Sequence, residues 1–159
     1  MVEYMSKQEA SDSAKSWHWH FLESVEAIFL SESVLRRKCN LLNSNRKRLY
    51  LPDRPGIRRK EILSNPDVIL LSKRTGNFDY ILEVEYQVNY KKIAGIAVLT
   101  DIAVRQMSLK PKPKLILVTK KEFPNRELLQ KDVSDVVRNI EFEISTSDKL
   151  ISEFSSLIM

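Results

Sequence analysis

Residues 66–87, PDVILLSKRTGNFDYILEVEYQ, constrain the fold more than any other stretch of the chain. Two apolar segments, 68–71 and 80–84, flank Thr75-Gly76-Asn77, and a Gly-containing loop between such runs reads as a β-hairpin. With 75–77 as the loop, Lys73 opposes Asp79, Leu71 opposes Ile81, Ile69 opposes Glu83 and Asp67 opposes Glu85. Val68, Leu70, Tyr80, Leu82, Val84 and Tyr86 then share one face. Asp67, Glu83 and Glu85 gather at the open end of the other face, with Lys73 and Asp79 paired near the turn. Opposed Cβ atoms lie about 5 Å apart and diagonal ones about 7–8 Å. Three carboxylates that close repel one another, and such a cluster holds a cation or shares protons. A two-residue Gly76-Asn77 turn would instead set Asp67 opposite Tyr86 and expose apolar groups, because a one-residue slip turns a strand over. The plain alternative is a solvent-facing hairpin edge with scattered acids.

The chain around this hairpin has 159 residues, 43% apolar and 30% charged, which suits one globular domain spanning residues 1–159. No apolar stretch is long enough to cross a bilayer. The opening MVEYMSKQEASDS has no apolar core, so no signal peptide is expected, and residues 1–10 are expected to be disordered. The single cysteine, Cys39, rules out an internal disulfide framework and fits a reducing, cytoplasmic compartment. Placed between Leu35 and Leu42 in a helical stretch, it reads as a small buried hydrophobe.

Net charge is +5, but it is unevenly spread. Between positions 36 and 60 stand ten bases, Arg36, Arg37, Lys38, Arg46, Lys47, Arg48, Arg54, Arg58, Arg59 and Lys60, against one acid, Asp53. That block carries +9, which leaves −4 for the rest of the chain. Such asymmetry is the footprint of a polyanionic partner, because phosphate neutralisation by Lys and Arg supplies most nonspecific nucleic-acid affinity. A solvated, solubilising loop is the bland alternative. A membrane surface fits less well, since the block lacks a stripe of large apolar residues.

Periodicity supplies the remaining elements. Residues 11–30 read as a helix, with Ala14, Trp17, Phe21, Val25 and Ile28 at three- and four-residue steps. Residues 34–42 continue as a second helical piece, 43–65 form a basic connection, and 49–51 suggest a short strand. Residues 90–107 are a helix so apolar around its circumference, with Val98, Leu99 and Ile102 beside Ile93, Ile96, Ala97 and Val104, that cover on more than one side is expected. KLILVT at 114–119 suits a buried strand. Residues 125–139 read as a helix with Leu128, Leu129, Val133, Val136 and Val137 inward, 140–144 as an alternating strand, and 147–159 as a terminal helix. A hairpin followed by helix-crossed strands implies an α/β (α+β) fold with a mixed central sheet and helices on both faces.

The pieces Pro66-Asp67 and Glu83-Val84-Glu85, with 15 residues between Asp67 and Glu83, sit at the ends of this hairpin. With a helix before and a helix–strand after, they resemble the PD-(D/E)XK, or restriction-endonuclease-like, nuclease superfamily. The likeness covers about residues 12–120 and rests on element order more than on close sequence similarity. It implies that Asp67 and Glu83 bind Mg²⁺ or Mn²⁺, and that a first-helix glutamate, Glu26 or Glu23, is a further ligand. The family's third motif position is usually lysine; here it is Glu85, as in a minority of restriction enzymes, which puts water activation by that residue in doubt. The activity implied is that of a magnesium-dependent endonuclease, a hydrolase acting on double-stranded DNA, in which two-strand cleavage is commonly shared by a homodimer.

The same residues support the chemistry directly. Phosphodiester cleavage needs charge neutralised at phosphate and hydroxide made near neutral pH, and a hard cation held by carboxylate oxygens does both. Asp67 and Glu83 would hold the ion, with the Val84 carbonyl a further donor. Glu85 would orient water or bind a second ion, and Gln87 on the same strand face could hydrogen-bond water or phosphate. Lys91 or Lys92, at the start of the next helix and unfavourable against its dipole, could replace the missing lysine. Elsewhere the signals are weak. His18 and His20 in Trp17-His18-Trp19-His20 do not share a helix face and have no Cys or further His to complete a zinc set. No Gly-rich phosphate loop and no serine or cysteine triad is present. Two other readings stand beside the nuclease: a non-catalytic nucleic-acid-binding protein on the same fold, and a protein-interaction module with exposed acids.

Overall fold

A computed structural model describes residues 7–43, 66–107 and 112–157. The elements run α1 (Lys7–Ser31), α2 (Ser33–Lys38), β1 (Cys39–Asn43), β2 (Val68–Ser72), β3 (Phe78–Glu85), α3 (Tyr90–Met107), β4 (Lys114–Thr119), α4 (Arg126–Val136), β5 (Glu141–Thr146), α5 (Ser147–Glu153) and a 3₁₀ turn at Phe154–Ser156. The five strands form one sheet in sequence order. β1, β2 and β3 are antiparallel neighbours, and β3, β4 and β5 are parallel. Helices cover both faces, so the expected mixed α/β architecture is the one observed.

Alternation along the strands divides the interior into two cores. Val68, Leu70, Leu82, Val84, Ile116 and Val118 meet α1 through Phe21, Leu22, Val25 and Phe29, with Leu35, Leu150 and Phe154 closing that side. Ile69, Ile81, Leu115, Leu117, Phe142 and Ile144 meet α3 through Ile93, Ala97 and Val104, and α4 through Val133. The hairpin is therefore central and buried on both faces, not half-buried as its sequence suggests.

The hairpin register differs from expectation by two residues. Val68 pairs with Leu82, Ile69 with Ile81 and Leu70 with Tyr80, and a bulge then sets Leu71 against Phe78. The loop comprises residues 73–77, with Gly76 at φ 73° and its N–H donating to the Ser72 carbonyl at 2.8 Å. Drawing Phe78 into the strand buries its ring in the core. A slip of two preserves the faces, which is why the predicted sorting of side chains survives. The Lys73–Asp79 pair does not form; the Lys73 ammonium donates to the Arg36 carbonyl instead.

Other expectations are corrected. Cys39 lies in a strand, not a helix: after α2, Cys39 and Leu41 turn to one core and Leu42 to the other, and β1 pairs along the outer edge of β2. Cys39 is buried as expected, and burial pushes its thiol up to about 11. α1 begins at Lys7, inside the stretch expected to lack structure. On α4, Leu128 and Val136 face outward at 57% and 64% exposure. That helix ends sooner than expected, and the Arg138 and Asn139 N–H groups donate to Asp101 Oδ1 at 3.0 and 2.6 Å. Among the described residues Val98, Leu99 and Ile102 of α3 are exposed rather than covered. The strand expected at 49–51 lies outside the described residues.

Phe154 is fully buried against α1 and the sheet. Phe154→Ala should cost about 3–5 kcal/mol by urea unfolding, whereas Leu128→Ala should stay within about 0.5 kcal/mol of wild type.

Candidate functional site

β3 carries Glu83 and Glu85 to the carboxyl ends of the parallel strands, where Glu83 pairs with Leu117 and Glu85 with Thr119. Ligand sites of open α/β sheets gather at such ends. Asp67 immediately precedes Val68, the partner of Leu82, so the observed register brings Asp67 level with Glu83 rather than Glu85. Both oxygens of Asp67 are engaged. Oδ2 accepts from the Val84 N–H at 2.7 Å, and Oδ1 pairs with His18 Nε2 of α1 at 2.9 Å. Glu85 Oε2 pairs with Lys92 Nζ, on the first turn of α3, at 3.1 Å.

Glu83 is the anomaly. It is 7% exposed, and among the described residues its Oε1 is the one buried side-chain oxygen without a hydrogen-bond partner. Its pKa lies well above the ordinary glutamate range. Burial is the largest cause, followed by the charges of Asp67 and Glu85 and a hydrogen bond with Asp67 that only protonated Glu83 donates; Lys92 opposes the shift. His18 is also raised, chiefly by its hydrogen bond to Asp67 and further by the Asp67 and Glu85 charges, with burial opposing. With His18 and Glu83 protonated, two anions, Asp67 and Glu85, face two cations, His18 and Lys92. Ionising Glu83 adds a buried negative charge beside Asp67 and Glu85, opposed by Lys92.

Among the described residues no three His, Cys, Asp or Glu side chains converge as a closed metal cage. Magnesium rarely needs one: it keeps several waters and takes one or two carboxylates. The donors such an ion would draw on here are Asp67 and the unpartnered Glu83 Oε1. The Val84 amide, rather than its carbonyl, meets Asp67.

The structure brings Asp67, Glu83 and Glu85 to one end of the sheet and leaves other expected residues elsewhere. Glu26 stands eight residues beyond His18 on α1, about 12 Å along the axis, and it is His18 that reaches Asp67 from this helix. Gln87 is exposed in the bend after β3, and Lys92, not the exposed Lys91, reaches Glu85. Arg36, Arg37 and Lys38 end α2 at the opposite, hairpin-loop end, because Cys39 is level with Ser72. Arg46, Lys47, Arg48, Arg54, Arg58, Arg59 and Lys60 lie outside the described residues. His18 escaped sequence reading because its partner is 49 positions away. The neighbouring Trp17 offered the one signal: it packs on Phe21 and on Tyr86, just past Glu85, which anchors this turn of α1 beside the acids.

The class so defined is a three-layer α/β protein with a mixed sheet and a carboxylate cluster at its parallel strand ends. The chain matches no protein-family model, no curated protein and no solved structure.

Both Glu83 and His18 bind protons more tightly folded than unfolded. Stability without divalent ions should therefore fall as pH rises through values above 4.5 for Glu83 and above 6.5 for His18. Glu83→Gln should stabilise the protein by about 1–3 kcal/mol at pH 8, the scale of an unpaired buried polar group. The gain should vanish below pH 4.5, where wild-type Glu83 is protonated in both states. Chemical denaturation across pH checks both the sign and the window.

Proposed function

We propose that this chain is a metal-dependent nuclease that hydrolyses phosphodiester bonds of double-stranded DNA. The observation that carries the reading is the buried, unpartnered Glu83 oxygen beside Asp67. A fold keeps such a group at a cost to stability, and perturbed, desolvated carboxylates concentrate at sites of chemistry. The helix, three antiparallel strands, helix and parallel strand that frame it support the resemblance to PD-(D/E)XK nucleases. So does the placement of Asn43 and Val68, which pair at the Asp67 end of the sheet: the connection holding seven of the ten bases is attached there.

In this reading Asp67 and Glu83 hold Mg²⁺ or Mn²⁺, which supplies charge neutralisation at phosphate and lowers the pKa of bound water. As a ligand Glu83 would be ionised, the bound cation offsetting its buried charge. The Val84 amide holds Asp67 in orientation, as hydrogen-bonded ligand carboxylates require. Lys92, held by Glu85, brings a positive charge to the position the family's lysine serves, and donates to an anionic oxygen there. A cytoplasmic setting and a homodimer that cuts both strands belong to the same proposal. Among the described residues no helix is long and apolar enough to cross a membrane.

The second reading, a nucleic-acid-binding protein without catalysis, draws on the engagement of Asp67 by His18 and of Glu85 by Lys92. Cleavage of duplex and single-stranded DNA and of RNA, with Mg²⁺ or Mn²⁺ and with EDTA, separates the two. The wild type should cut duplex DNA only with the divalent ion. Asp67→Asn and Glu83→Gln should each lose on the order of 100-fold or more, and Mn²⁺ should raise the melting temperature of the wild type but not of Glu83→Gln. Undiminished cleavage by Glu83→Gln overturns the site, and binding without any cleavage favours the second reading.

A further inference from the structure

At the end of the sheet opposite Asp67, the β2–β3 loop and the last turn of α2 enclose a cleft of about 490 Å³. Its lining is Arg37, Lys38, Ser72, Lys73, Arg74 and Asp79, four cations against one acid. Main-chain contacts fix the arrangement: the Lys73 N–H donates to the Lys38 carbonyl at 2.9 Å, and Cys39 pairs with Ser72. The charges are therefore brought together by the sheet rather than by drifting surface side chains.

Part of this charge has a local cause. Bases in the last turn of a helix offset its dipole, which suits Arg36, Arg37 and Lys38, and the Lys73 ammonium satisfies the Arg36 carbonyl. Neither reason applies to Arg74, which sits exposed in the hairpin loop. Neither explains why a second segment, 73–74, adds cations to a cleft that already holds two, where like charges repel. Asp79, which interacts with Arg74, can offset only one of the four positive charges. The concave wall also offers a hydroxyl: Ser72 Oγ accepts from the Thr75 N–H at 3.3 Å, which leaves its own proton to donate.

We propose that this cleft binds a backbone phosphate of duplex DNA, with Arg74 and Lys73 as its principal contacts. Guanidinium groups grip phosphate oxygens in a bidentate fork, and lysine adds a point charge. The identity of the polyanion rests on the nuclease reading above; the cleft and its charges do not. Six residues of extended chain separate Asp67 from Lys73, about 20 Å at strand rise. That spans about six phosphates along one strand at 3.4 Å each. DNA held here would thus be gripped about half a helical turn from the carboxylates, so the grip sets the orientation of the duplex without touching the reacting phosphate.

The test uses the full chain in EDTA, so that it measures binding alone, with a fluorescently labelled 30-base-pair duplex titrated from 50 to 300 mM NaCl. Arg74→Ala should weaken binding and lower the slope of log K against log salt by about 1, and Arg74→Ala with Lys73→Ala by about 2. Lys131→Ala, an exposed lysine of α4, should leave the slope unchanged. Arg74→Lys should restore most of the slope, because charge is retained. Arg74 is the decisive position, since Lys73→Ala also removes a contact to α2; thermal melting confirms that each variant is folded. A slope that Arg74→Ala leaves untouched overturns the proposal. So does thermal stabilisation of wild type but not Arg74→Ala by inorganic phosphate at constant ionic strength, with no change in DNA affinity, which identifies a free phosphate ligand. A protein that binds with the expected slopes yet never cuts defeats the nuclease reading and leaves the phosphate grip standing.

Discussion

Ile69 opposite Ile81 decides where every charge on this sheet can stand. The pair is buried under α3, and the alternation it sets places Val68, Leu70, Leu82 and Val84 against α1. Moving the register by one residue would turn both apolar sets over, so neither core would tolerate it. A move by two would keep the faces but take Phe78 from the core. With the register fixed, Asp67 has one place to go, beside Glu83 at the carboxyl end of β3. The carboxylate cluster is thus a by-product of hydrophobic pairing a few residues away, and packing on both faces of the sheet holds it together against its own repulsion.

Glu83 shows what that packing sustains. A carboxylate in a central strand, with neighbouring acids and little water, is disfavoured as an ion. When protonated it can donate to Asp67, while its Oε1 has no partner. Around it the compensation is local and paired: His18 on Asp67, Lys92 on Glu85. Each pair draws one member from a helix on a different face of the sheet, α1 for His18 and α3 for Lys92. The cluster therefore couples the two layers. A glutamine at position 83 could fill the same space without the charge, so the acid stands there at a cost to stability.

Much of this was legible in the chain. The α3 and β4 boundaries follow directly from an apolar run stopped by Pro111 and Pro113 and from KLILVT. The hairpin faces follow from the position of the loop around Gly76, and they survived an error of register because that error was even. β1 was hidden because five residues, CNLLN, fit a helix turn as well as a strand; only the open edge of β2 decides between them. Leu128 and Val136 were misplaced for a related reason: a helix of eleven residues meets the sheet with a narrow stripe, and apolar residues off it stay exposed. At the site, Asp67, Glu83 and Glu85 could be found from local spacing. His18 and Lys92 could not be fixed, because their placement depends on how α1 and α3 lie against the sheet, which no local pattern encodes.

The two ends of the β2–β3 hairpin carry opposite logic, and together they make electrostatic sense. At the loop end, four cations line the cleft with one acid, Asp79. At the open end, Asp67 and Glu85 are paired with His18 and Lys92, and a proton on Glu83 lowers the local negative charge. A polyanion approaching these ends would meet clustered cations at one and, at the other, acids partly offset by His18 and Lys92. Losing a Glu83 proton without gaining a cation would add negative charge beside an incoming phosphate. A protonated Glu83 would thus relieve burial and also lower the repulsion toward a polyanion bound at the basic end. That effect depends on the register of Ile69 with Ile81, since only there does Asp67 stand close enough to share the proton.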